Sequence, residues 1–346
     1  MPEVWFFLVA FMVAMYFVLD GFDLGAAMVR PFVARTDEER ARVFAAIGPY
    51  WDGNEVWLVA AGGTSLCVFP AAFASVFGGL YIPLFMVLWG LLVRGISIEF
   101  RHLSHDALWV SFWDFTFVVS GVVLSLLFGV AVGNLLRGFP LGDDGAFELD
   151  LFSGSRPAVL DLYTLLVGLS VTLAFALQGA AFLAWKTDGD LGERAARLRK
   201  WLTVAVAVAF VVTFFATHRV RPELGAAFLG RPVGWLFVVA SLVGLGLAFR
   251  SARALLGFVG SSLVILGSAV SLAVAAFPVL VFAAARPEVS IVASGEAGGL
   301  RIALSWWALG MTLVLGYYVT VFRVHRGKTP RVPQEAQDQV GGDGTT

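Results

Sequence analysis

Charge is the scarcest property of this sequence. Only 14% of its 346 residues are Asp, Glu, Lys or Arg, where a soluble domain carries about a quarter. The net charge is −1 at pH 7, which lacks the basic footprint of a nucleic-acid partner. Cysteine occurs once, as Cys67 inside an apolar run. One thiol closes no internal disulfide and builds no thiolate metal site, so Cys67 is expected to be a small buried apolar side chain. Histidine occurs four times, and His102, His105, His218 and His325 all fall between apolar runs or at their ends. Ligation of a haem by His, or by His with Met, needs a histidine within a helix. Met12, Met15, Met28 and Met86 therefore have no partner, and copper or zinc has no His cluster. Gly62-Gly63 is not followed by Gly-Lys-Ser/Thr, which excludes a phosphate loop. No residue is expected to bind a metal or cofactor, or to serve as a catalytic residue. The stretch Met1-Pro-Glu-Val-Trp5 has no basic segment, and the apolar run after it continues to Val29. It is expected to be a retained helix rather than a cleaved leader.

What the chain has instead is apolar length. Hydrophobic residues make up 59% and the mean hydropathy is +0.83. Repeated runs of about 20 such residues specify an all-α polytopic membrane protein. About nine transmembrane helices are expected, near 4–29, 52–73, 75–99, 110–136, 159–185, 201–218, 234–249, 255–284 and 303–323. The second starts with charges and the seventh is short. The 31 Phe and 11 Trp belong to helix packing and interfacial belts. The segments group as an integral membrane domain over 1–325, with one four-helix bundle over about 1–136, a second over about 159–284, and a peripheral last helix at 303–323. The acidic outer loop 137–158 is expected to be solvated. Residues 326–346 are too polar to build a core and are expected to form a disordered cytoplasmic tail. With nine crossings, 16 Lys and Arg fall on the side shared by 30–51, 100–109, 186–200, 250–254 and the tail, and 7 on the other. The excess faces the cytoplasm, which puts the N-terminus outside and the C-terminus inside.

The charges that do lie in apolar segments are concentrated in the first hundred residues. Asp20 and Asp23 stand at i and i+3, on one face of the first helix. Asp52, Asn54 and Glu55 open the second. Arg94 and Glu99 lie in the last turns of the third. All of these ends point to the same side of the membrane, and five carboxylates meet one arginine. A charge at a helix centre costs about 2.5–3.5 kcal/mol on insertion scales, and so many carboxylates cannot all be paired and ionised in low dielectric. The set has the composition of a proton-uptake path. Two structural roles compete with this. Asp52-Gly-Asn-Glu55 also fits a capping box, and Asp23 and Glu99 could simply reach the headgroups. Leu177-Gln178-Gly179 echoes Leu19-Asp20-Gly21, as a duplication would that replaced a carboxylate by an amide.

The motifs Leu19-Asp-Gly-Phe-Asp-Leu-Gly25, Ile47-Gly-Pro-Tyr-Trp-Asp-Gly-Asn-Glu-Val-Trp-Leu58, Ala61-Gly-Gly63 and Arg94-Gly-Ile-Ser-Ile-Glu-Phe-Arg101 resemble subunit II of the cytochrome bd-type quinol oxidases, most strongly over residues 1–130. The resemblance implies a nine-helix subunit of the bacterial cytoplasmic (inner) membrane, paired with a haem-bearing subunit I. That complex oxidises quinol at the outer side and reduces oxygen to water with protons from the cytoplasm. Two b-type haems and one d-type haem belong to subunit I. The resemblance leaves room for a structural quinone, bound membrane lipid and a small accessory subunit. It assigns Asp20, Asp23, Asp52, Asn54, Glu55, Arg94 and Glu99 to the proton path. The alternatives are a stand-alone proton-coupled transporter, whose midplane substrate site has few polar groups here beyond Gln178, and a purely structural partner of the haem subunit. Co-purification with a haem protein separates the first alternative from the oxidase, and the activity of carboxylate variants separates the second.

Overall fold

A computed structural model describes residues 1–139, 159–283, 290–294 and 297–330. The acidic stretch of the outer loop and the tail beyond residue 330 lie outside the described residues. The described residues form twelve α-helices and a short antiparallel pair of strands, β1 (Val279–Val281) and β2 (Ile291–Val292). The helices are α1 (Pro2–Val33), α2 (Asp37–Ile47), α3 (Trp51–Val68), α4 (Pro70–Gly79), α5 (Tyr81–Phe100), α6 (Ala107–Arg137), α7 (Leu162–Lys186), α8 (Gly189–Val220), α9 (Pro222–Leu229), α10 (Pro232–Arg250), α11 (Ala254–Ala276) and α12 (Ala297–Val324). The fold is an all-α, multi-pass membrane architecture.

Eight of the described helices are long and apolar enough to cross a membrane: α1, α5, α6, α7, α8, α10, α11 and α12. The ninth segment expected from the sequence is α3. Its 18 residues give about 27 Å of helix, close to the thickness of a bilayer core, but Asp52, Asn54 and Glu55 dilute its apolar character. It lies antiparallel along α1, with Asn54 against Asp23 and Thr64 against Met12. The expected boundary between the second and third spans needs correction. Pro70 has no N–H to continue a helix and restricts Phe69 before it, so α3 stops at Val68. The apolar residues that follow form the separate short helix α4 before α5 begins. Cys67, expected in the core, is exposed at the end of α3.

Two parallel helices, α1 and α7, form the centre. Of each helix's most apolar window, 67% is buried for α7 and 50% for α1, against none for α12, so α12 is peripheral. The two central helices touch where Gly25 meets Gly179. A Cβ on Gly25 would sit 1.9 Å from the Phe175 carbonyl oxygen, and one on Gly179 would sit 2.1 Å from the Gly25 carbonyl carbon. Only glycine allows this approach, the small-residue packing that membrane helices use in place of a hydrophobic drive. Beyond the crossing, Phe22 stacks on Phe182 with ring centroids 4.1 Å apart. Around this axis, α3 and α6 pack on α1, α8 packs on α7, and α11 packs on both. The tail expected to be disordered begins with an ordered stretch. Lys328 Nζ donates to the carbonyls of Ala184 and Thr187, and the Thr329 amide donates to Lys186 O. These bonds cap the otherwise orphaned carbonyls at the end of α7.

Candidate functional site

Three helices bring the expected polar residues together. Asp20 and Asp23 come from the inner face of α1, Asn54 and Glu55 from the first turns of α3, and Arg94 from the second half of α5. Asp20, Asp23, Asn54 and Arg94 are fully buried, each 0% exposed. Arg94 bridges the set: Nη1 donates to Asp20 Oδ1 at 2.6 Å, and Nη2 donates to Glu55 Oε1. Its own backbone carbonyl is taken by Ser97 Oγ at 2.6 Å. Asn54 Nδ2 donates to Asp23 Oδ2 at 2.7 Å and to the Leu19 carbonyl at 3.3 Å. From the periphery, Tyr318 of α12 donates its hydroxyl to Gly53 O at 2.7 Å, with Asn54 Oδ1 at 3.2 Å. A fork-shaped guanidinium suits this place, since it serves two carboxylates at once in a dry interior.

Two expected members stand apart. Asp52 and Glu99 are exposed, and neither forms an ion pair among the described residues. The capping-box role also fails. Helix α3 begins at Trp51 with Tyr50 at the N-cap and no side-chain cap, so Asp52 sits inside the first turn and Glu55 turns to Arg94 instead. The cluster therefore has three carboxylates and one guanidinium: Asp20 and Asp23 are fully buried, Glu55 is half-buried with its side chain 26% exposed, and Asp52 lies exposed in the same turn of α3.

The sequence reading missed a second buried ionic knot. Arg30 of α1 and Arg101, in the turn after α5, both bind Asp114 of α6. Arg101 Nε lies 2.6 Å from Asp114 Oδ1, and Arg30 pairs with Oδ2 and with the Asp114 carbonyl. Both guanidinium carbons lie over the Phe44 ring of α2, 5.3 and 5.0 Å from its centroid, in cation–π range. This knot ties α1, α2 and α6 together beside the acidic cluster. The signal was present in Phe112-Trp-Asp-Phe115, a lone acid in an apolar helix. Gln178, the amide in the repeated tripeptide, donates Nε2 to Val18 O at 3.0 Å and to Ser262 Oγ at 2.9 Å. The carbonyls of Val18 and Leu19, just before Asp20, are thus each held by an amide from a flanking helix.

This arrangement sits in a chain whose residues 1–325 match the family described as "Cytochrome bd terminal oxidase subunit II". The chain belongs to that family. Among relatives of the subunit II family, "Probable cytochrome oxidase subunit 2" of Haemophilus influenzae is 32% identical over 319 residues, 84% of each chain. "Cytochrome bd ubiquinol oxidase subunit 2" of Bacillus subtilis is 34% identical over 222 residues, 64% of each chain. "Cytochrome bd-I ubiquinol oxidase subunit 2" of Escherichia coli K12 is 34% identical over 213 residues, 62% of this chain and 55% of that one. The last two matches span less than two thirds of those relatives. A chain of the solved bd oxidase from Geobacillus thermodenitrificans shares the fold, with a TM-score of 0.71 over 94% of this chain and 98% of that chain at 17% identity.

A bd oxidase subunit II is one part of a membrane complex with a subunit I, and the family name implies haem in that complex. The residues of this chain do not fit a haem. Its four histidines are exposed, and the Met12 sulfur is occupied, accepting from Trp307 Nε1 at 3.4 Å. Among the described residues, His, Cys, Asp and Glu form no group that could hold a metal ion.

Proposed function

We propose that the chain is the non-haem subunit of a quinol:oxygen oxidoreductase, stabilising a haem-bearing subunit I and supplying it with protons from the cytoplasm. The observation that carries this is the buried imbalance of charge. Asp20, Asp23 and Glu55 converge on the single guanidinium of Arg94, and a fully ionised set would leave two uncompensated charges in low dielectric. Such a site keeps protons within it and exchanges them.

In this reading Asp52 collects protons at the exposed rim, Glu55 takes them inward, and Asp20 and Asp23 hold them against Arg94, with Asn54 fixing Asp23. Glu99 is a second rim carboxylate. The rim faces the cytoplasm, as the basic excess requires, so the N-terminus is outside and the C-terminus inside. The first bundle carries the path and the second supports it across the α1–α7 crossing. The b- and d-type haems, quinol oxidation and oxygen reduction belong to subunit I. The exposed apolar faces of α5, α8, α10 and α12 meet that partner, lipid, or a small accessory subunit.

The test is quinol-driven oxygen consumption by the assembled complex carrying Asp20→Asn or Glu55→Gln. Both substitutions keep shape and remove the exchangeable acid. Turnover is expected to fall about tenfold or more while the haem spectrum is unchanged. Wild-type turnover in both variants would overturn the path. Labelling Asp190→Cys in a Cys67→Ala background tests the orientation: reaction only from outside would reverse it.

A further inference from the structure

Seven arginines are buried among the described residues, and six of them pair with a carboxylate. The seventh is Arg199 of α8, 2% exposed. Its Nη2 donates to the Ser251 carbonyl at 2.8 Å, while Nε and Nη1 are buried without a hydrogen-bond partner. The helices packed around it, α7, α10 and α11, contain no Asp or Glu at all. Glu193, on its own helix, pairs with Arg197 at 3.6 Å. An uncompensated buried charge is costly, so the counter-charge comes from outside the described residues. The guanidinium lies against the first turn of α11, where a Cβ on Gly257 would sit 1.7 Å from Nη1. That helix begins with a cation where sequences usually put a side-chain acceptor or an acid. Arg253 stands at the N-cap, no side chain caps the helix, and the amides of Ala254, Leu255 and Leu256 have no acceptor among the described residues. Lys200, Arg250 and Arg253 are exposed. Four cations and the positive end of a helix dipole thus meet at one end of the bundle, the setting that binds anions.

We propose that the first turn of α11 binds the phosphate of an anionic phospholipid headgroup, with Arg250, Arg253 and Lys200 beside it. The free amides of the turn donate to the phosphate, and the exposed cations draw it in. Arg199 does not touch the ligand. It supplies charge from below and fixes the turn through the Ser251 carbonyl, whose residue also accepts the Arg253 amide on Oγ at 3.2 Å. The apolar surroundings favour a lipid over a free anion. Trp201 is 75% exposed, and Phe249, Leu255 and Leu256 are exposed beside the cations, as suits an interfacial belt against acyl chains. The site lies on α8, α10 and α11 and shares no residue with the acidic cluster.

The experiment titrates phosphatidylglycerol into the assembled complex, held in mixed micelles of phosphatidylcholine and detergent, and reads the midpoint of thermal unfolding. Wild type is expected to gain stability as the lipid binds. Arg253→Gln should raise the lipid concentration that gives half the gain about fivefold, and Arg250→Gln combined with Arg253→Gln about twenty-five-fold. Arg323→Gln, which removes a cation from the last turn of α12, should match wild type. An equal weakening there would mean diffuse attraction to the surface and would overturn the site. Inorganic phosphate in place of the lipid should give no gain, and an equal gain would overturn the lipid in favour of a free anion. Removal of residues 331–346 should change neither value. Tighter lipid binding in that variant would assign the turn to the acidic tail of this chain and overturn the proposal. No gain in wild type would also overturn it, leaving Arg199 to a carboxylate of the partner subunit.

Discussion

Asn54 holds Asp23 and the backbone of the same helix with one nitrogen: Nδ2 lies 2.7 Å from Asp23 Oδ2 and 3.3 Å from the Leu19 carbonyl. The amide thereby fixes both an acidic side chain and the turn that carries it. Asn54→Leu keeps the volume and removes both donors, leaving a buried carboxylate oxygen unpaired. The complex is expected to lose about 1–3 kcal/mol of stability, read as a lower midpoint of thermal unfolding. An unchanged midpoint would mean that Asp23 finds another donor.

Arg94→Leu should be among the most damaging single changes, because it strips the counter-charge from Asp20 and Glu55 together. Breaking a buried pair from one side costs about 3–5 kcal/mol, enough to prevent recovery of the assembled complex. Asp20→Leu combined with Arg94→Leu should be less harmful than Arg94→Leu alone, since the double change leaves fewer buried charges unpaired. Additive losses in yield and stability would show that the two residues do not depend on each other.

Asp52 gives a cleaner test, because it sits exposed in the first turn of α3 and caps nothing. Asp52→Ala and Asp52→Asn should both leave stability within about 0.5 kcal/mol of wild type. Both should slow quinol oxidation by a similar factor if the carboxylate collects protons. A turnover loss confined to the Ala variant, together with a lower unfolding midpoint, would restore the capping role.

Glu39 sets an acid limit on α2. Burial alone would raise its carboxyl, but hydrogen bonds from the Arg35 amide, from Arg194 and from the Thr36 amide outweigh it and hold the group below the ordinary glutamate range. A carboxylate lowered in the folded state stabilises the fold above its unfolded pKa and loses that contribution as pH falls through its folded value. The unfolding midpoint of wild type should therefore exceed that of Glu39→Gln at neutral pH, and the gap should close on acidification through the carboxylate range. A gap independent of pH would mean that charge at Glu39 is immaterial.

The helix plan and most of this site were legible in the sequence because both rest on contrast. A carboxylate in an apolar run is visible without coordinates, and the direction of each helix put Asp20, Asp23, Glu55 and Arg94 at one level. Three things were not legible. The depth of Asp52 and Glu99 depends on which face of α3 and α5 meets α1, and a helix apolar on most sides does not declare its face. The end of α3 was hidden because Pro70 lies in an apolar run that continues unbroken in composition. Asp114 gained its meaning only from Arg30 and Arg101, which are distant in sequence.

The hydrogen bond from Tyr318 to Gly53 bears on how the protein is made. Helices α1, α3 and α5 leave the ribosome within the first hundred residues, so the acidic cluster can form early in synthesis. Tyr318 emerges some two hundred residues later. Until then the Gly53 carbonyl and Asn54 Oδ1 stay open on that side, and the cluster waits with one wall missing. A chain truncated before α12 would thus leave these two acceptors without the Tyr318 hydroxyl, and α12 is what closes that wall.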